Sequence, residues 1–572
     1  MSLNITKLIC IKRIMDLHYS KNNNSTLFKD LEKMNLFQIH NYVPIYDLLF
    51  KMNTDNYDSV NLDIPEKILS LEKCTTYNSA DVFVTTKDHK KKKRNIFFKF
   101  APLIDPIRYM AGKYKDVYLS LPTFENKSTS EYSSKICNPY NCAYIDAFFT
   151  YVSSQLLNSG FENALNFHGM YIGYHKNLKV NIIDDLEFLT ESSYFHSNLN
   201  VLFQIENEDL LSVDTSCSGE NKKKIHICNT LKNGTDYIFN EESTEDPILS
   251  AVNLSELNTL HEMNEITYTD DTSVHLDDMS STCSSASSLT DDDFTPSNSL
   301  GNDGIDNDQL ECDDSDGSYS EESSEMTYVE GIVNNIPVSI ISMEKCTNTL
   351  DSLMDDEFST DEWISCLSQV IFTLALYQKK FNFTHNDLHT SNIMYVETKK
   401  KYLYYKFNEV NYKVPTYGKI YKIIDFGRSI YTFKNILFYS DAFNKKEDAS
   451  TQYNFGPFFD DKKQEITPNF SFDLSRLGCS LYDYFEDYQI DNEKDEALVN
   501  LIKRWCEDDK GKNILYKSSG EERYPEFKLY KMIARTVHHC IPHEQLASPI
   551  FNEQRVDDNK VNIDHLMDID KL

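Results

Sequence analysis

The residue types best suited to chemistry lie in one short stretch, "THNDLHTSNIMYV" at residues 384–396. It places an imidazole at His385, a carboxylate at Asp387 and a carboxamide at Asn392, between an apolar helical run and a strand-like run. Side chains of these kinds accept protons or bind hard cations through oxygen. The stretch is therefore either a solvated polar turn or the place where the chain carries out a reaction.

A second polar turn follows thirty-three positions after Asn392, where Asp425, Phe426 and Gly427 come directly after the strand-like "YKII". The order His-x-Asp-x-x-x-x-Asn followed by Asp-Phe-Gly resembles the catalytic loop and metal-binding turn of the protein-kinase superfamily. Either motif alone is a weak signal. Both together, with a helix before the loop and a strand between the motifs, are a specific one.

The resemblance implies phosphoryl transfer from ATP with Mg²⁺, a reaction that depends on positioning and charge neutralisation. Asp387 would accept or orient the proton of the attacking hydroxyl, and His389 stands at the position of the superfamily's lysine two residues later. Asn392 and Asp425 would hold Mg²⁺, which prefers hard oxygen ligands.

Further positions match the superfamily as structural supports. His385 would hold the loop against the turn formed by Phe426 and Gly427, rather than act as a base. Asp473, in "SFDLSRLGCSLYDY", resembles the residue of the large-lobe core helix that anchors the backbone of the catalytic loop.

The resemblance also indicates an ATP-binding side. Lys99 in "NIFFKF" alternates with apolar neighbours in a predicted strand, and it matches the lysine that pairs with the α- and β-phosphates. The helix predicted over 144–159 contains no Glu, so Asp146 is the candidate partner of this lysine. "SIISMEKC" resembles the last small-lobe strand and hinge, which would place the backbone of Glu344 to Cys346 against the adenine.

Three features depart from the superfamily pattern. The segment "LEKCTTYNSADVF" has no glycine-rich loop, so the backbone would approach the phosphates less closely. Asn386 replaces the usual Arg, which excludes pairing of that Arg with a phosphorylated activation loop, and His389 replaces Lys. No Ala-Pro-Glu follows the Asp-Phe-Gly turn.

The net charge of −33 comes mostly from one segment, because residues 241–330 contain 25 acidic residues and no Lys or Arg. A stretch so rich in Ser, Asp and Glu buries too little apolar surface to offset its chain entropy, so we predict a disordered insert at about 208–330. Strand-like patterns at 194–207 and 334–346 flank it, which favours a long loop inside one folded unit. No basic surface for nucleic acid is indicated.

The pattern as a whole predicts an α+β, two-lobed protein-kinase-like fold, with a small β-rich lobe, a larger helical lobe and the long acidic insertion. The expected divisions are an N-terminal helical extension at 1–70, an N-lobe at 71–350 interrupted by the insert, and a C-lobe at 351–572. The chain looks most similar to divergent kinase-like proteins of giant DNA viruses.

Three functions remain open at this stage. A serine/threonine protein kinase using ATP and Mg²⁺ is favoured by Arg428 directly after the turn and by the long polar segment at 429–470. The alternatives are a pseudokinase scaffold that binds regulatory partners through the acidic insert, and a small-molecule kinase of the choline or aminoglycoside type. Without an apolar run of about 18 residues or a clear signal peptide, we expect an intracellular protein, in the host cytoplasm or the virion if viral, with no membrane partner.

Overall fold

The described residues of the computed structural model form a mixed α+β fold. The predicted acidic insert lies almost wholly outside them, so its predicted disorder stays a prediction. The structure describes residues 17–114, 119–124, 133–206, 329–354, 358–562 and 565–572.

The strands are mostly short, apart from four long ones that build the main sheet. In chain order they are β1 Tyr19–Lys21, β2 Leu36–His40, β3 Val60–Leu62, β4 Glu66–Thr76, β5 Ser79–Thr86, β6 Lys91–Pro102, β7 Phe167–Asn181, β8 Phe203–Ile205, β9 Glu330–Glu344, β10 Asn348–Thr349, β11 Ile393–Glu397, β12 Tyr402–Phe407, β13 Val410–Pro415, β14 Lys419–Ile423, β15 Ile430–Phe433, β16 Ile436–Tyr439, β17 Arg555–Val556 and β18 Leu566–Asp568.

The longer helices lie mainly in the second half of the chain, and short 3₁₀ turns connect many of the elements. The α-helices are α1 Ser25–Leu31, α2 Pro106–Met110, α3 Ser133–Cys137, α4 Cys142–Ser154, α5 Leu186–Thr190, α6 Ser193–Asn198, α7 Asp351–Met354, α8 Thr360–Phe381, α9 Phe472–Glu486, α10 Glu493–Trp505, α11 Phe527–Thr536 and α12 Pro542–Gln545.

The main sheet of the described residues is antiparallel and has the order β2-β7-β9-β6-β5-β4, with β8 also paired to β9. Side chains alternate between the two faces of a strand, so Ile96 and Phe98 of β6 point to one face and are fully buried. Lys99 lies on the other face, in register with Ile341 of β9. The sheet thereby directs Lys99 towards α4.

Both helices that were predicted beside the site are present. The helix expected over 144–159 is α4, which continues as a 3₁₀ turn to Ser159. The helix predicted before the 384–396 stretch is α8. At its start, Ser359 and Glu362 form a capping box by exchanging hydrogen bonds between side chain and backbone.

An aromatic cluster joins these helices to the two motifs. Phe149 of α4 stacks on Phe383 with a centroid separation of 4.4 Å, and it contacts Phe426 at 4.8 Å and Tyr431 at 4.7 Å. Tyr377 of α8 lies 5.2 Å from Phe149. The cluster is buried, so its packing holds α4, α8 and the 425–427 turn together.

The strands that flank the motifs bring the two motifs to one place. β11 begins directly after Asn392, and β14 ends shortly before Asp425. They pair antiparallel, with Ile393 opposite Ile423. Because the start of one strand then meets the end of the other, both motifs emerge at the same edge. The segment between the two strands forms the β12–β13 hairpin, which pairs with β17 and β18.

Two regions differ from the predicted secondary structure. The helical extension expected over 1–70 contains, from residue 17, three short strands and the seven-residue helix α1, and β4 begins at Glu66. There β2 pairs with β7 and becomes an edge strand of the main sheet, and this pairing prevails over the local helical pattern. The strand expected over 194–207 is divided between α6 and β8.

None of the helices in the described ranges has both the length and the apolar composition needed to cross a bilayer.

Removing one ring of the aromatic cluster tests how much the cluster contributes to the free energy of unfolding. We expect Phe149→Ala to lower the free energy of unfolding by about 3–5 kcal/mol, because it leaves a cavity among tightly packed rings. Phe459→Ala is the control, since 53% of that side chain is exposed, and its effect should stay within about 0.5 kcal/mol. Denaturant unfolding of both variants measures the difference, and equal losses would contradict the assigned packing.

Candidate active site

A partly buried ion-pair triad lies between the main sheet and the second motif, with Asp146 buried and Asp425 nearly half exposed. The Lys99 Nζ atom lies 2.7 Å from Asp146 Oδ2 and 2.9 Å from Asp425 Oδ1. Burial disfavours the charged ammonium, but the two carboxylates outweigh this and raise the pKa of Lys99. Against the opposing effect of burial, Lys99 lowers the pKa of Asp425 to about 2. Burial raises the pKa of Asp146, and the neighbouring Lys99 ammonium opposes that rise.

Asp146 also supports the backbone of the turn. Its second oxygen, Oδ1, accepts a hydrogen bond from the Phe426 N–H at 2.9 Å, and its side chain is only 3% exposed. Asp425 adopts a positive φ of 61°, a left-handed conformation that Asp and Asn tolerate better than most residues. Asp146 thus contacts both Lys99 and the turn. The contact with Lys99 was predicted from the sequence, and the contact with the turn was not.

Asp473 fixes the backbone of the first motif. Its carboxylate accepts the N–H groups of His385 and Asn386, each at 2.9 Å, and it is fully buried at the start of α9. His385 donates through Nε2 to the Ile424 carbonyl at 2.9 Å, while its Nδ1 accepts from the Asp387 N–H at 3.3 Å. His385 therefore has both ring nitrogens in structural bonds and does not serve as a base in this arrangement.

Asn386 links the loop to the segment that follows the turn without using charge. Its Nδ2 donates to the Arg428 carbonyl at 3.0 Å, and its Oδ1 accepts from the Tyr453 hydroxyl at 2.6 Å. Its backbone has a positive φ of 66°. Neutral hydrogen bonds thus occupy the position where the superfamily has an arginine.

The Asp387 carboxylate is held by side chains from distant parts of the chain. The Tyr530 hydroxyl donates to Oδ1 at 2.7 Å, and Arg428 Nη1 lies 3.7 Å from Oδ2. Burial alone would raise the pKa of Asp387, but Arg428 and Arg476, with the Tyr530 hydrogen bond, lower it below the usual range. Tyr530 and Arg476 were missed from the sequence, because nothing in the local pattern of α9 or α11 marks a contact with residue 387.

Asn392 and His389 form the other side of the loop. The Asn392 Nδ2 group donates to the Asp387 carbonyl at 2.9 Å and lies 3.0 Å from His389 Nε2. That nitrogen must then accept, so His389 is the neutral Nδ1–H tautomer, and burial lowers its pKa. The Asn392 amide nitrogen thus donates to two groups within the loop, which leaves Oδ1 as the atom able to bind a ligand.

The predicted hinge residues stand at the end of β9. Glu344 Oε1 pairs with Lys422 Nζ at 2.7 Å and accepts from the Asn166 N–H at 3.0 Å. Lys422 is 4% exposed and was not anticipated from the sequence. Cys346 is buried, and burial raises the pKa of its thiol to about 12. The Glu344 and Cys346 side chains are therefore structural, and the Glu344 N–H donates to the Asn166 carbonyl at 2.8 Å.

The turn between β4 and β5 lies in the segment that has no glycine-rich loop. It consists of Tyr77 and Asn78, and the Tyr77 hydroxyl donates to the Asn177 carbonyl at 3.1 Å while accepting from the Lys179 N–H at 3.1 Å. A tyrosine bound to β7, rather than glycine flexibility, fixes this turn.

The residues fit a magnesium–nucleotide complex in donor type. Asn392 Oδ1 and the Asp425 carboxylate are hard oxygens at one edge of the β11–β14 pair, where the Ile424 N–H donates to the Asn392 carbonyl at 3.0 Å. The described ranges show no cluster of three or more His, Cys, Asp or Glu able to hold a metal. A sparse oxygen site suits Mg²⁺, which keeps waters and substrate phosphates among its ligands.

The triad predicts a definite dependence of stability on pH. The pKa of Asp425 is about 2 in the folded chain and about 3.9 for an unfolded Asp. Its contribution is therefore complete above about pH 5 and decreases as the pH falls towards 2. In denaturant unfolding at a series of pH values, the stability lost by Asp425→Asn should be constant near neutrality and shrink below about pH 4.

Lys99→Met supplies the matched background for that measurement. Without the Lys99 ammonium, the loss of unfolding free energy caused by Asp425→Asn should no longer shrink below pH 4. An identical pH profile in both backgrounds would contradict the assigned Lys99–Asp425 pair.

No protein-family model matches the chain. It is 31% identical over 141 residues to a protein of Acanthamoeba polyphaga mimivirus named as a serine/threonine-protein kinase, covering 24% of this chain and 32% of that one. It is 37% identical over 106 residues to a Dictyostelium discoideum protein with the same type of name, covering 17% and 8% of the two chains.

A third match is the Drosophila melanogaster serine/threonine-protein kinase haspin homolog, 31% identical over 91 residues, or 16% of each chain. The chain thus spans about a third or less of the length of these three relatives. It shares weak, partial similarity with proteins named as serine/threonine kinases, one of them encoded by a giant virus.

Proposed function

We propose that this chain is a protein kinase that transfers the γ-phosphoryl group of ATP, with Mg²⁺, to serine or threonine hydroxyls. The observation that carries the proposal is the Lys99 ammonium held between Asp146 and Asp425, next to a loop that presents Asp387 and Asn392. The kinase names of its partial relatives support the same reaction.

The nucleotide would lie between β6 and the 425–427 turn, in a two-lobed arrangement. Lys99 would bind the α- and β-phosphates while Asp146 holds it in place. Asn392 Oδ1 and the Asp425 carboxylate would hold Mg²⁺, which neutralises charge on the phosphates when bound. The backbone of Glu344 to Cys346 would meet the adenine.

Asp387 would orient the acceptor hydroxyl for the transfer. The hydroxyl oxygen forms a bond to the γ-phosphorus, the bond from that phosphorus to the bridging oxygen breaks, and ADP leaves. Asp387 takes the hydroxyl proton and later releases it to solvent. Its ionised form is the one required, and the groups that lower its pKa keep it ionised.

A nucleotide-binding protein without transferase activity is the second candidate. The observation that favours it is the Tyr77–Asn78 turn, which has no glycine to let the backbone close over the phosphates.

Transfer assays with purified protein decide between these functions. With labelled ATP and Mg²⁺, the wild type should phosphorylate itself or a mixture of generic protein substrates. Asp387→Asn should lower the rate by about 10²–10⁴-fold, the usual contribution of a positioned acid or base. Asp557→Asn, at an exposed carboxylate far along the chain, is the matched control and should keep full activity.

Three results would contradict the proposal. Equal rates for wild type and Asp387→Asn would remove that residue from the reaction. Tight ATP binding with no labelled product would favour the nucleotide-binding candidate. Labelling of small metabolites with no labelled protein would identify a small-molecule kinase.

A further inference from the structure

The side chain nearest the Asp387 carboxylate comes from a helix far along the chain. The Tyr530 hydroxyl, on α11, donates to Asp387 Oδ1 at 2.7 Å. The distance is that of a strong hydrogen bond to a charged acceptor. Oδ2 has Arg428 Nη1 at 3.7 Å, which is an ion pair but is too long for a hydrogen bond. One oxygen is thus fixed by a protein donor, and the other can still accept one.

Tyr530 is itself held rigidly. The guanidinium carbons of Arg476 and Arg428 lie 5.1 Å and 5.7 Å from its ring centroid, within cation–π range. Phe527 stacks beside the ring with centroids 5.2 Å apart. Ile533 of the same helix is fully buried, so it fixes α11 against its neighbours. A donor held in this way loses little further side-chain entropy when it binds the carboxylate.

The neighbouring side chains of the loop do not hold the Asp387 carboxylate. Asn386, the residue before Asp387, is neutral and uses both ends of its amide in bonds to the Arg428 carbonyl and Tyr453. Asn392 holds the backbone carbonyl of Asp387, not its carboxylate. Among the hydrogen bonds described for this loop, the one from Tyr530 sets the rotation of the Asp387 carboxylate.

We propose that Tyr530 is a positioning residue for phosphoryl transfer, whose hydroxyl fixes Asp387 Oδ1 so that Oδ2 faces the acceptor hydroxyl. This inference rests on the proposed kinase function. Arg428 and Arg476, stacked on the ring, hold the tyrosine in place.

Tyr530→Phe tests the proposal, because it keeps the ring and removes only the hydroxyl. We expect kcat to fall about tenfold, the equivalent of one charge-assisted hydrogen bond. KM for ATP should be unchanged, because the hydroxyl contacts Asp387 and not the residues proposed to hold the nucleotide. Tyr516→Phe is the matched control, since that hydroxyl also donates to a carboxylate, Asp483 at 2.9 Å, but at an exposed place; its kinetics should equal those of the wild type. Thermal unfolding checks that both variants remain folded.

The outcomes separate this inference from the proposed function. A wild type without transfer activity overturns both. An active wild type with unchanged kcat in Tyr530→Phe overturns the positioning role alone. A rise in kcat/KM for the protein acceptor also overturns it, because the hydroxyl would then be occupying the acceptor's place. A fall in kcat that comes with a lower melting temperature and a raised KM for ATP overturns it as well, since Tyr530 is then a packing residue.

Discussion

The candidate site depends on one interaction, the Lys99 ammonium placed between the Asp146 and Asp425 carboxylates. Three charges in a partly buried place are stable only as a set, because each removed from water needs its partners. The strand β6, the helix α4 and the turn at 425–427 each supply one member. The triad therefore fixes how sheet, helix and turn approach each other, and the aromatic cluster around Phe149 fills the space behind it.

A second constraint fixes the loop that faces the triad. Asp473 binds two consecutive backbone N–H groups, and His385 joins the loop to the strand end at Ile424. Neither contact uses the side chains of Asp387 or Asn392. Backbone support is thereby separated from the side chains proposed for chemistry, so those side chains can be held in position without their reactive oxygens being consumed. The Asn392 amide follows the same logic, since its nitrogen is bound inward and its oxygen is left over.

The parts of the site that local pattern could anticipate are those with a sequence period or a fixed spacing. Alternation in "NIFFKF" separates Lys99 from its buried neighbours, and the helical pattern of α4 makes Asp146 available to it. Tyr530 and Lys422 could not be found in this way, because their contacts join segments 143 and 78 positions apart, at Asp387 and Glu344. The same reason explains residues 17–65, where pairing of β2 with β7 decides the structure. The acidic segment lies almost wholly outside the described residues.

The most direct test of the account is a crystal structure with a non-hydrolysable ATP analogue and Mn²⁺ in place of Mg²⁺, since the manganese position follows from anomalous scattering. The account predicts manganese within about 2.2 Å of Asn392 Oδ1 and an Asp425 oxygen, at an octahedral site close to that of Mg²⁺, with Lys99 on the α- and β-phosphates and Oδ2 of Asp387 facing the γ-phosphate. Nucleotide bound elsewhere, or a metal that contacts neither Asn392 nor Asp425, would contradict it.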